Sequence, residues 1–157
     1  MTAEQRHLVT AGTVLGIGLG GFVDGILFHQ ILQIHGMISA RVPKDSVVNL
    51  EINMFWDGLF HTLTWLTTAL GVWLLFRLAQ RREGRLSGRA FGGALALGWG
   101  LFHVVEGILD HHILNMHHVV ERLGVSIYDA AFLAFGVVLL AVGGLAIRSG
   151  VSVRTSR

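Results

Sequence analysis

Four long apolar stretches alternate with short polar breaks along the chain. Each can cross a hydrocarbon core of ~30 Å, which takes ~20 helical residues. The pattern predicts helices over about 8–34, 52–78, 89–113 and 125–147. Val42-Pro-Lys-Asp-Ser46 makes the first break and Arg81-Arg-Glu-Gly-Arg85 the second. A histidine-rich run from Asn115 to Gly124 makes the third. No low-complexity segment stands out, and no internal repeat is read along the chain. The expected fold is all-α: one domain, a four-transmembrane-helix bundle running up, down, up and down. The first stretch is too long for a cleaved leader, lacks a small-x-small cleavage site and contains Asp24, so it is expected to stay.

Composition agrees with lipid as the solvent. Charged residues are 14% of the chain, against about 25% in soluble domains. With no cysteine, disulfides and thiolate metal sites are excluded. The basic residues are uneven. Arg6, Arg77, Arg81, Arg82, Arg85, Arg89, Arg148, Arg154 and Arg157 fall on one side, and only Arg41, Lys44 and Arg122 on the other. The positive-inside rule then places both termini and the middle break in the cytoplasm, as expected of a multi-pass protein of a bacterial inner membrane. Glycines at 12, 16 and 20, and again at 21 and 25, give the first helix a small-residue face for close packing.

The chemistry lies on the opposite side. Eight of the nine histidines sort to the outer half: His29, His35, His61, His103, His111, His112, His117 and His118. So do eight of the ten carboxylates: Asp24, Asp45, Glu51, Asp57, Glu106, Asp110, Glu121 and Asp129. At 1.5 Å rise per residue, several of these sit ~6–15 Å below the outer boundary. Each ionised group at that depth costs ~2.5–3.5 kcal/mol, so six unpaired ones would cost on the order of 15–20 kcal/mol. They must be neutral, mutually paired or bound to a cation. With hardly any lysine or arginine nearby, a metal ion is the simplest counter-charge.

Spacing sharpens the candidate set. Asp57 and His61 are four apart, and His103, Glu106 and Asp110 follow a three-four spacing, so helices 2 and 3 each carry one polar stripe. At 100° per residue Asp24 shares a face with His35, whereas His29 is offset by ~140°. Neighbouring histidines cannot both point inward, so one of each pair, His111-His112 and His117-His118, is expected to reach the core. The expected ligands are His29, Asp57, His61, His103, Glu106, Asp110, His111, His112, His117 and Asp129, with Asp24 orienting a ligand imidazole from behind. Imidazole and carboxylate suit copper, iron or zinc, one or two ions per chain, and Met37, Met54 and Met116 near the histidines add thioethers that favour Cu(I).

Several segments carry a family resemblance. They are Gly21-Phe-Val-Asp-Gly-Ile-Leu-Phe-His-Gln30, Asp57-Gly-Leu-Phe-His61 and Glu106-Gly-Ile-Leu-Asp-His-His112 with Met116-His-His118. In these the chain resembles a family of bacterial integral-membrane proteins known as a domain of unknown function. The resemblance implies a four-helix membrane fold and emphasises Asp24, His29, Asp57, His61, Glu106 and the histidine pairs. Where that family tends to carry Trp-His-His-Met, this chain has Ile34-His35-Gly36-Met37.

Three functions fit these features. The first is a metal-dependent oxidoreductase using copper or iron at a mono- or binuclear site facing the periplasm. The second is a zinc-dependent membrane hydrolase, with Glu106 or Asp57 as catalytic base acting on zinc-activated water. The third is a carrier or inserter passing metal to a respiratory enzyme through exposed His117 and His118. Haem is disfavoured, because Asp24, Asp57 and Glu106 make a poor apolar pocket. The expected partners are the lipid bilayer, with a second copy of the chain or a respiratory complex as company, and no nucleic acid.

Overall fold

A computed structural model describes residues 1–81 and 86–152. Arg82, Arg85, Arg154 and Arg157, used above to orient the chain, lie outside the described residues. Four helices are long and apolar enough to cross a membrane. They are α1 (Ala3–Asp24), α2 (Val47–Arg81), α3 (Gly88–Glu106) and α4 (Ile127–Ser152). α1 continues without a break into a π-helical turn, Gly25–Ile31, and α3 into another, Gly107–Ile113.

Local signals set the ends. Thr2 and Gln5 form a capping box: Gln5 N–H donates to Thr2 Oγ1 at 3.2 Å, and Thr2 N–H to Gln5 Oε1 at 2.7 Å. Ser87 caps α3 by accepting from Ala90 N–H. α2 begins well before the apolar run because Ser46 caps it from the polar loop, accepting from Asn49 N–H. Thr62, Thr64, Thr67 and Thr68 return their hydroxyls to carbonyls of α2, which satisfies them without water.

α1 and α3 form the inner pair, and α2 and α4 flank them. Buried residues make up 44% and 39% of the most apolar windows of α1 and α3, against 11% and 17% for α2 and α4. Contacts run in parallel register between α1 and α3, since Gly12 meets Ala94, Gly16 meets Leu95 and Gly20 meets Trp99. They run antiparallel between α1 and α2 and between α3 and α4. The α1–α3 crossing depends on two glycines. A methyl group on Gly16 would strike the Leu95 carbonyl, and one on Gly98 the Thr13 carbonyl. This is small-residue packing between membrane helices. It brings the ends of α1 and α3 together at the level where the polar residues begin.

Candidate metal centre

The π-helical turns decide which side chains meet. A π-helix closes i to i+5, so it returns residues five apart to one side, where an α-helix would splay them. Asp24 and His29 are five apart across the first such turn, and Glu106 and His111 across the second. His29 Nε2 accordingly lies 3.2 Å from Asp24 Oδ2. The ~140° offset expected from a uniform α-helix does not hold, and its cause is the turn that begins at Gly25.

After each turn the chain folds back over the helix ends, through residues 32–46 and 114–126. Gln33 and Asn115 adopt positive φ, 52° and 50°, to make the reversals. The two loops are tied to each other. His35 Nδ1–H donates to the Val119 carbonyl at 2.9 Å, and His117 Nδ1–H to the Met37 carbonyl at 3.0 Å. Ala40 N–H reaches the Met116 carbonyl at 2.9 Å, and Ser39 Oγ–H the Glu121 carboxylate at 2.7 Å. A carbonyl can only accept, so these bonds fix the tautomers. Both His35 and His117 carry their proton on Nδ1 and turn a bare Nε2 inward.

That inner space is buried. His29, His35, His111 and His117 are each 4% exposed or less, as are Asp24 and Glu106. Among the described residues the Nε2 atoms of His35 and His117 have no hydrogen-bond partner, whereas His29 Nε2 stands 3.2 Å from Asp24 Oδ2 and Glu106 Oε1 lies 3.6 Å from His117 Nε2. Burial pushes the His35 imidazole down to about 4, with the charge of neighbouring His29 adding to the effect. Burial and the nearby His35, His111 and His29 hold His117 well below its ordinary value. Both are therefore neutral at physiological pH, the form that ligates metal. Unpaired buried lone pairs are costly, and here they converge. His29, His35 and His117 form one triad, and Glu106, His111 and His117 another. Within each triad one potential ligand atom per residue lies within 4.8 Å of the others.

Two more carboxylates stand behind the histidines. Asp57 Oδ1 accepts from His29 Nδ1–H at 2.8 Å and from Met37 N–H at 2.8 Å. Asp129 Oδ1 lies 3.1 Å from His111 Nδ1 and accepts from Val119 N–H at 3.1 Å, while its Oδ2 takes Ser126. A carboxylate behind an imidazole is the usual outer support of a metal ligand, fixing ring orientation and tautomer.

Of the ten residues read as ligands, the structure brings four into the triads: His29, Glu106, His111 and His117. Asp57 and Asp129 lie one contact outward. His61 is half-buried on the flank of α2; its Nδ1–H donates to the Asp57 carbonyl and its Nε2 packs on Gly25. His103 donates from Nδ1 to the Trp99 carbonyl and stacks on Phe132, with ring centroids 4.2 Å apart. Asp110 is half-buried on the α3 side, and His112 is exposed and bonded to the Gly107 carbonyl. Asp24, read as an outer support, stands directly against His29 Nε2. His117 and His118, expected at the surface, are both buried, at 0% and 5% exposed. His35 was not among the ligand candidates. It lies beyond the apolar stretch, and helical spacing cannot place a residue held by a loop.

With the geometry in hand, comparison with known proteins adds one match. A family described as a predicted membrane protein, DUF2243, matches residues 11–150. No curated protein and no solved structure matches the chain.

Proposed function

The chain belongs to the DUF2243 family of predicted membrane proteins, and from that premise we propose that it is a membrane-embedded transition-metal protein working by copper or iron redox chemistry. One observation carries the reading. Two buried groups of donors, His29, His35 and His117 and Glu106, His111 and His117, converge closely enough to hold a metal ion, and the Nε2 atoms of His35 and His117 there are bare. Four carboxylates, Asp24, Asp57, Glu106 and Asp129, are buried there, and no lysine or arginine is buried among the described residues. A metal cation would add positive charge beyond what His29, between Asp24 and Asp57, can offer, and would bind the bare nitrogens.

Closure of the loop side favours redox chemistry over delivery. A carrier needs an exposed hand-over ligand. Here His35 and His117 are sealed under two interlocked loops. Electrons can still pass through a closed site. A small substrate has a lateral route as well: an apolar cleft of about 340 Å³ between α2 and α3, lined by Phe60, Leu63, Phe102 and Val105, ends on Glu106 and Asp110. A lipid-soluble electron donor fits that lining. Glu106 borders that cleft, whereas Asp57 already holds His29 and Met37.

The arginine distribution supports a centre near the periplasmic face. Because the chain has no cysteine, single-cysteine variants report cleanly. Ser46→Cys should label from outside intact cells and Arg81→Cys should not; the reverse would invert the assignment. For the function itself, protein purified in detergent without added metal should contain copper or iron and bleach or colour on reduction. Colourless protein containing only zinc would remove the redox reading, and metal-free protein would remove the metal reading.

A further inference from the structure

The two π-helical turns start at Gly25 and Gly107, 82 positions apart. The two positive-φ residues, Gln33 and Asn115, are separated by the same interval. Aligning the chain on itself at this spacing shows a repeat that the apolar pattern hides. Gly25-Ile-Leu-Phe-His-Gln-Ile-Leu-Gln-Ile-His35 faces Gly107-Ile-Leu-Asp-His-His-Ile-Leu-Asn-Met-His117, identical at seven of eleven positions, and a carboxylate precedes each. The absence of a repeat expected from sequence is thus corrected. Its signal is confined to the polar ends, while the apolar spans match only in pattern.

Contacts throughout the bundle obey the same pairing. Gly16 meets the Leu95 carbonyl as Gly98 meets the Thr13 carbonyl, and Gly71 meets Leu15 as Gly143 meets Leu97. On the outer side of the centre the correspondence extends to single atoms, although Asp24 stands against His29 while its counterpart Glu106 stands against His117. His29 Nδ1 faces Asp57 Oδ1, which takes Met37 N–H; His111 Nδ1 faces Asp129 Oδ1, which takes Val119 N–H. His35 bonds the Val119 carbonyl, and His117 bonds that of Met37, its counterpart. The molecule is two helical hairpins related by a pseudo-twofold axis along the α1 and α3 direction, a parallel repeat. The candidate centre lies across that axis.

Resting on the metal reading above, we propose that the centre is binuclear, with one transition-metal ion in each triad: His29, His35 and His117 for one, Glu106, His111 and His117 for the other. His117 is common to both triads, so it ligates one ion and lies beside the second. Two observations support two ions. Nitrogen and oxygen donors bind such ions at about 2.0–2.2 Å, so donors sharing one ion lie within roughly 4.4 Å of each other; the five donors instead group as two overlapping triads. Each repeat also brings its own opening carboxylate, Asp24 beside His29 Nε2 at 3.2 Å and Glu106 beside His117 Nε2 at 3.6 Å.

The test is stoichiometric. Full-length protein in detergent, stripped with chelator, is titrated with Co(II) as a spectroscopic stand-in, with metal content measured on the purified protein in parallel. The visible bands should rise to a break at two equivalents per chain. The double variant His29→Ala/His35→Ala and the single variant His111→Ala should each break at one, with helix content by circular dichroism unchanged. A wild-type break at one equivalent overturns the binuclear inference and leaves the metal reading standing. No bound metal, as isolated or on titration, overturns the metal reading itself. Loss of both ions in either variant with the fold intact would also overturn the assignment of one ion to each triad.

Discussion

His117→Ala is expected to lower the metal content of the purified protein more than tenfold. The residue is common to both groups of donors and is fully buried, and its ring is held by Nδ1–H donating to the Met37 carbonyl. Alanine removes the one donor nitrogen that the two triads have in common. It also breaks one of the two reciprocal bonds that close the loops over the site, so the remaining donors lose their fixed positions. The loss should exceed that of His35→Ala, which belongs to one triad. His61→Ala and His112→Ala serve as controls: both residues lie outside the triads and bond carbonyls of their own helices, and both variants should keep their metal. Circular dichroism and elution volume separate ligand loss from unfolding. Folded His117→Ala with wild-type metal content would mean that the loop histidine is only a tether.

The second expected result concerns the outer carboxylates. Asp57→Asn and Asp129→Asn should each weaken metal binding by ~10–100-fold while leaving the protein folded, the range seen when the outer partner of a ligand histidine is lost. Asparagine keeps the volume and can still accept from the Met37 or Val119 N–H. It loses the charge that orients the imidazole and raises its basicity. The repeat makes the prediction stricter, because the two aspartates occupy matched places behind His29 and His111. Competition against a chelator of known affinity measures both. A large effect at one aspartate and none at the other would show that the halves are not functionally matched.

Much of the fold was legible because the bilayer imposes length and apolarity on every span, and four spans meeting that demand are visible in the sequence. The slab of outer polar residues was legible for the same reason, since charge at depth is expensive. What helical spacing could not give was rotation. Asp24 and His29 fall apart on a uniform α-helix and meet only because the backbone widens into a π turn after Gly25. The same widening after Glu106 separates Asp110 from the stripe it was assigned to and carries His111 inward. His35 and His117 were harder still, because their positions come from two chain reversals and a carbonyl on the opposite loop.

The repeat would have sorted the candidates better than the helical wheel. Asp24 with Glu106, His29 with His111, His35 with His117 and Asp57 with Asp129 are the groups that have a counterpart, and these are the groups that gather. His61, His103, Asp110, His112 and His118 stand where the other half has Leu133, Gly21, Phe28, Gln30 and Gly36. None of the five belongs to either triad.

The most direct measurement is an anomalous-scattering map from crystals of the detergent-solubilised protein, collected above and below the absorption edge of the metal found by elemental analysis. The account predicts strong peaks within about 2.0–2.2 Å of imidazole nitrogens among His29, His35, His111 and His117, beneath the loops that carry Met37 and Val119. A map with no peak there, or with its peaks at His61, His103 or His112 instead, would contradict it.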